Sequence, residues 1–310
     1  MTDQEQLDTA KSFFQKYGSA MISGVLIALI AFFGWQYWNK RTSAEDQIST
    51  AKVQLLVDEA RAAESDPKAA VALAASADKL VKENPNSVHA VQAQMVMAKH
   101  AFDQKDYAKA ERELKKIENT ELKDEGLKQV VKISLADAQL AQKKYDEALP
   151  KLIEAVETAP NKRLKARYAF IAGQISQILN RSNDAFQYFE LASKTANDPK
   201  LTFMADMAVA KNAIASGSKS KDDVLKGLKK NLSEAKYINL RDEIYFTMGE
   251  IELSQQNEKS AIENFQYSIN NNTSNQKLKA ESYYRIASIH YDAERFLPAS
   301  VYFDSTFMFL

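Results

Sequence analysis

Asp106–Ile117 reads DYAKAERELKKI and Lys144–Ala155 reads KYDEALPKLIEA, two stretches 38 residues apart that place small, large apolar and charged residues in the same order. Each sets a small residue, Ala110 or Ala148, one helical turn before a leucine, Leu114 or Leu152, with lysine and glutamate around them. That spacing is the mark of an amphipathic helix with one apolar stripe. The pattern returns at Asn183–Ala192 (NDAFQYFELA), Lys259–Ser268 (KSAIENFQYS) and Phe296–Ser305 (FLPASVYFDS). The small residues stand at 110, 148, 185, 261 and 299, in steps of 38, 37, 76 and 38. Since 76 is twice 38, a further unit belongs between Ala185 and Ala261, and Val224 in DDVLKGLKKNL takes its slot.

Twelve positions before each marker stands a second row, Ala98, Ala136, Gly173, Asn212, Gly249 and Ala287, small in five of six. Four positions after each marker the row is large and apolar: Leu114, Leu152, Phe189, Leu228, Phe265 and Phe303. Each unit is therefore predicted to be a pair of helices. Small side chains on both let the backbones approach, and the large residue fills the groove beside them. One pair cannot bury its face alone, so neighbours stack. Only eight glycines and six prolines occur, as expected of helices joined by short turns, and almost no strand is predicted. An Ala-rich pair from Val53 to Glu83, closed by NPNS at Asn84–Ser87, begins the array.

The repeat resembles tetratricopeptide repeats, in which an aromatic residue often precedes the second small residue by three; Tyr107, Tyr145 and Phe296 sit there, and Pro160 ends one unit where such repeats favour proline. The unit from Asn212 to Leu228 lacks that aromatic, and 38 residues is longer than the usual repeat. The resemblance implies an all-α, tetratricopeptide-like α-solenoid.

Ahead of the repeats, Ser19–Trp38 reads SAMISGVLIALIAFFGWQYW, twenty residues without a charge. As a helix it rises roughly 30 Å, the thickness of the bilayer hydrocarbon, and a single transmembrane helix is expected. Trp35, Tyr37 and Trp38 at its end, followed by Lys40 and Arg41, form an expected membrane-interface collar. A cleaved signal peptide fits less well, because the run starts after the acidic Asp3, Glu5 and Asp8 and ends on bulky rings. Lysine and arginine counts on the two flanks are nearly equal, so charge leaves the topology open. Ala20, Gly24 and Ala28 form a small-residue row of the kind that lets such helices pair, and is also common in lipid-facing helices.

The order of features over Met1–Pro160 resembles the YfgM family, an ancillary subunit of the bacterial Sec translocon: an acidic start, KSFFQKYG at Lys11–Gly18, an anchor ending GWQYWNKR at Gly34–Arg41, then hairpins at Tyr107 and Tyr145. The resemblance implies a cytoplasmic N-terminus (1–18), a transmembrane helix (19–38) in the bacterial inner membrane and a periplasmic helical domain (39–160). It implies Sec translocon subunits and a periplasmic peptidyl-prolyl isomerase-type chaperone as partners. Residues 161–310 read as additional repeats. Segments such as RLKARYAFIAGQI at Arg163–Ile175 and DEIYFTMGEIEL at Asp242–Leu253 resemble helical-repeat lipoproteins of Bacteroidota gliding and type IX secretion systems. That second resemblance implies an alternative role in assembling such a machine.

Chemistry finds few footholds. The chain has no cysteine, which excludes disulfides and thiolate sites, and its 41 basic residues equal its 41 acidic ones, so no field draws it to nucleic acid. His89, His100 and His290 have no partner at metal spacing, and no phosphate loop, nucleophile elbow or zincin motif occurs. Carboxylate pairs such as Asp146 and Glu147, and runs such as Lys115, Lys116, Glu118 and Lys123, read as solvated helix surface. No cofactor, metal or small-molecule ligand is expected, and a non-enzymatic interaction scaffold is the leading reading. A chaperone-like or isomerase-type catalyst is the alternative from another class.

In this repeat class the fifth residue of each first helix faces the concave groove. Met95, Ile133, Phe170, Val209, Phe246 and Tyr284 fill that place, an apolar row suited to a segment of a partner protein. The competing reading is that the row packs first helices against one another. Lys99, Asp137, Gln174 and Glu250, four residues further on, either hydrogen-bond a partner or are solvated. The last pair ends on Phe307, Met308, Phe309 and Leu310 without a polar capping helix, so this end is expected to be truncated or to cover its apolar face by pairing with another protein.

Overall fold

A computed structural model describes residues 44–64, 66–83, 85, 87–118 and 125–309. The apolar run 19–38 and its collar Trp35, Tyr37, Trp38, Lys40 and Arg41 lie outside the described residues. Among the described residues no helix is long and apolar enough to cross a membrane, and no strand occurs. The helices are α1 (Ala44–Ala62), α2 (Pro67–Glu83), α3 (Val88–Asp103), α4 (Tyr107–Glu118), α5 (Glu125–Ala141), α6 (Tyr145–Glu157), α7 (Lys162–Ile178), α8 (Ser182–Thr195), α9 (Pro199–Ala215), α10 (Lys221–Ser233), α11 (Arg241–Ser254), α12 (Glu258–Asn271), α13 (Gln276–Asp292) and α14 (Phe296–Phe307).

Four first helices, α3, α7, α9 and α13, start on side-chain caps, whereas α11 starts after Leu240 without one. Ser87, Asn161, Asp198 and Asn275 each accept a hydrogen bond from the backbone N–H three residues on, satisfying a donor the helix itself cannot pair. Within the pairs the turn is built differently. Lys105, Lys143, Asn180, Gln256 and Glu294 all adopt left-handed backbone, with φ between 57 and 61°, and each stands five residues before its small marker. After α5, Lys143 N–H donates to Leu140 O and Lys144 N–H to Gln139 O, both at 2.9 Å; after α11, Gln256 and Asn257 donate to Leu253 O and Glu252 O in the same way. These bonds cap the free carbonyls of the first helix and reverse the chain. The Val224 pair departs here: its left-handed residue is Gly217, seven positions ahead of the marker.

The described helices fall into two compact units, divided between Leu179 and Asn180. In the first, each helix packs on its neighbour in sequence, and α1 also meets α3. Leu56, Leu73, Leu80 and Val96 form one core across α1, α2 and α3. Met95, Leu114, Ile117, Val131 and Leu135 form another across α3, α4 and α5. In the second unit α9 touches α11 and α11 touches α13, so first helices pack along one row while second helices pack between them. Phe203, Met207, Val224, Leu228, Ile244 and Met248 make one core there, and Phe246, Phe265, Ile269, Ile286 and Ile289 another.

The small-residue rows do what their spacing predicts. Ala110, Ala148, Ala185, Val224, Ala261 and Ala299 are all buried, as are Ala98, Ala136, Gly173, Asn212, Gly249 and Ala287. At Gly249 the fit is tight: a Cβ there would stand 2.6 Å from Phe265 Cε1. Phe265 is the large residue one turn past the marker Ala261, so the groove-filling contact read from the sequence exists in that pair. A 3₁₀ turn at Ala235–Leu240 between α10 and α11 was not foreseen. Its buried Tyr237 packs its ring 5.4 Å from that of Phe203, within the core that also holds Val224 and Leu228 of α10.

Candidate functional site

The inner row lies on first helices and is divided between the two units. In the first unit Met95 on α3, Ile133 on α5 and Phe170 on α7 are buried. In the second, Phe246 on α11 is buried against Phe265, with ring centroids 5.4 Å apart, and Lys211 Nζ stands 5.5 Å above its ring. Val209 on α9 is half-buried. Tyr284 on α13 is 48% exposed, its ring 5.9 Å from that of Phe303. Four members of the row are thus enclosed among helices, and Val209 and Tyr284 reach solvent.

The polar companions divide in the same way. Lys99 is half-buried and pairs with Asp103 on its own helix at 2.5 Å. Glu250 on α11 is buried, and its Oε1 lies 3.0 Å from Nε of Arg285 on α13, an ion pair across adjacent first helices. Asp137 on α5 and Gln174 on α7 are buried too. Burial pushes the Asp137 carboxyl well above the usual carboxylate range, and the positive charge of Arg167 on α7 pulls it back only in part. Burial, with the nearby Asp137 charge, raises the Tyr168 hydroxyl to about 12. Asp137 Oδ2, both amide atoms of Gln174, and the hydroxyls of Ser134 and Ser176 have no hydrogen-bond partner. The α5 and α7 helices therefore carry a polar seam inside an otherwise apolar row. Each unmet group there carries a desolvation cost of roughly 1–3 kcal/mol.

A second polar feature escaped the sequence reading. Glu111 on α4 is buried and accepts from Lys115 at 2.8 Å, Lys144 at 2.6 Å, Gln142 at 2.8 Å and Gln139 at 3.3 Å. Burial alone raises such a carboxyl; the hydrogen bonds outweigh it and bring its pKa down to about 2. Lys144 and Gln142 come from the α5–α6 turn, so this network ties one pair to the next. Its only signal in sequence is a glutamate directly after the small marker Ala110. The histidines stay dispersed: His89 lies 3.4 Å from Thr50 Oγ1, His100 is buried and His290 stacks on Tyr302 at 5.6 Å. Among the described residues no three of His, Asp and Glu gather as a metal requires.

Comparison with known proteins agrees with this architecture. Over 208 residues the chain is 28% identical to a protein of Escherichia coli (strain K12) named ancillary SecYEG translocon subunit, covering 67% of this chain and 95% of that one. A protein of the same name from Neisseria gonorrhoeae is 28% identical over 159 residues, 51% of this chain and 73% of its own. Among solved structures, apo RapI superposes with a TM-score of 0.55 at 14% identity, covering 84% of this chain and 76% of that chain. The apo quorum sensor NprR of B. thuringiensis gives 0.51 at 12% identity, covering 86% and 77%. Both structural likenesses speak to the fold alone. The tetratricopeptide repeat-like domain model matches residues 11–204, past Pro160 and through α8. With helical pairs repeating in the register of its small residues and that match spanning most of its length, the chain belongs to the tetratricopeptide repeat-like family.

Proposed function

We propose that this protein is a non-enzymatic interaction scaffold tethered to the bacterial inner membrane beside the Sec translocon. Residues 19–38 form its single span, the N-terminus is cytoplasmic and the helical repeats stand in the periplasm. The observation that carries the reading is the extent of similarity to proteins named ancillary SecYEG translocon subunit, which takes in 95% of the E. coli relative. The family match begins at residue 11, so it includes the apolar run together with the repeats. Repeated helical pairs supply partner surface without catalytic chemistry.

Partners in this reading are translocon subunits and a periplasmic peptidyl-prolyl isomerase-type chaperone. Contact falls where the first-helix row reaches solvent, at Lys99, Val209 and Tyr284, while Met95, Ile133, Phe170 and Phe246 hold the helices behind it. The test is a photo-crosslinking residue placed at Lys99, Val209 or Tyr284 of the full chain in native membranes, with Lys259 on the outer face of α12 as control. The expected result is adducts containing SecY, SecE or SecG from the first three positions and none from the fourth. Equal adduct yields at all four positions, or none containing a translocon subunit, would overturn it.

A further inference from the structure

The last second helix breaks a rule that the four second helices before it keep. In α6, α8, α10 and α12 the positions two before, two after and nine after the small marker are exposed and polar, Pro150 being the exception. In α12 they are Lys259, Glu263 and Asn270, all exposed. In α14 the same three slots hold Leu297, Val301 and Met308, which are 79, 57 and 79% exposed. Spaced by four and seven residues, they share one face of the helix. Phe296 and Phe307 lie beside that face, and Tyr291 of α13 meets Phe296 at 5.6 Å between ring centroids. From Phe296 to Leu310 the only charged residue is Asp304.

An open stacking face does not account for this. Phe307 stands in the slot of Ile269, which α13 covers in the preceding pair, so a further pair would bury it. Leu297, Val301 and Met308 stand in slots that remain exposed in α12, where a further pair does follow. A helix apolar on both faces is buried on both.

We propose that α14, with the edge of α13, forms a two-fold homodimer interface in which its outer face packs on the same face of a second copy. Three features select a second copy. Leu297, Val301, Met308, Phe296 and Tyr291 present on the order of 550 Å² of apolar surface, about two thirds of the roughly 800 Å² that each partner gives to a standard-size interface. Aromatic, aliphatic and methionine side chains with almost no charge are the composition of homodimer cores. A two-fold contact needs only one patch. Of the other large apolar residues exposed among the described ones, Leu55, Val71, Ile238 and Tyr267 are scattered over other segments and Tyr284 stands alone against Phe303, so they offer no second patch for a head-to-tail contact.

The chain has no cysteine, so Val301→Cys creates a single thiol at an exposed site. In native membranes carrying the full chain, oxidation or a short bifunctional maleimide should link V301C into a homodimer at least tenfold more efficiently than Glu263→Cys, its counterpart on α12. Combining Leu297→Glu, Val301→Glu and Met308→Glu should abolish the dimer of the full chain in lipid nanodiscs, read as particle mass, and leave its helix content by far-UV circular dichroism unchanged. The idea is overturned if V301C links no better than E263C, or links only to a different protein. A thiol shielded by lipid in place of a second copy, or a dimer that survives the triple glutamate variant, overturns it as well; the latter outcome would place dimerisation in the apolar run 19–38.

Discussion

Glu111 shows at the residue scale how a side chain on a helix surface becomes a structural tie. Its carboxyl holds a pKa of about 2 against an ordinary 4.5, so folding favours the ionised form. That stability is fully present above about pH 4.5 and is lost as the pH falls towards 2. Allowing for screening at the half-exposed lysines, the effect is about 2 kcal/mol. Glu111→Gln is expected to cost about that much at pH 7 by urea denaturation of the full chain in detergent, and the difference from the parent should vanish near pH 2. Gly249 is a steric counterpart. Gly249→Ala sets a methyl group against the Phe265 ring and should cost about 1–3 kcal/mol by overpacking; Phe265→Leu in the same chain should recover part of the loss. The Gly249 contact was legible in sequence, because a small residue recurring twelve positions before the marker has a simple steric reason. The Glu111 network was not, since a glutamate among lysines reads as solvated surface until the next pair closes over it.

At the scale of the element, the period was readable and the turns were not. Close approach of paired helices demands small residues at fixed places, so the register survives even in the Val224 unit, where the aromatic is missing and the turn is longer. Outside that unit the left-handed turn residue recurs in each pair from α3 onward, but as Lys, Lys, Asn, Gln and Glu, of which only Asn carries a signal for positive φ. An L residue in that conformation costs roughly 1–2 kcal/mol, which the paired carbonyl caps of the turn offset. Lys143→Gly should therefore stabilise the first unit by about 0.5–1 kcal/mol, and Lys143→Val should destabilise it by about 1 kcal/mol or more, because branching at Cβ worsens the same clash. Equal shifts of one sign in chemical denaturation would contradict that account. The inner row illustrates the other limit of sequence. Apolar residues recurring once in each first helix suit a partner groove and suit helix packing equally; the structure sets them between the sixth and eleventh residue of their helices, not at the fifth, and only the burial of Met95, Ile133, Phe170 and Phe246 separates the packed members from Val209 and Tyr284.

For the whole molecule, the family match covers the first unit and reaches residue 204, a little beyond the division between Leu179 and Asn180. The later pairs repeat the same register with a denser aromatic core, as the facing rings of Phe246 and Phe265 show. Two roles are proposed for that arrangement: contact with a translocon through exposed first-helix positions, and association of two copies through α14. The claim on which the functional account rests is physical proximity to the Sec channel. Its most direct measurement is affinity purification of the tagged full chain from native membranes after mild crosslinking, with quantitative mass spectrometry against a tag-only membrane control. SecY, SecE and SecG enriched at least tenfold, together with a periplasmic isomerase-type chaperone, is the predicted result; recovery of the chain with no channel subunit above the control would contradict it.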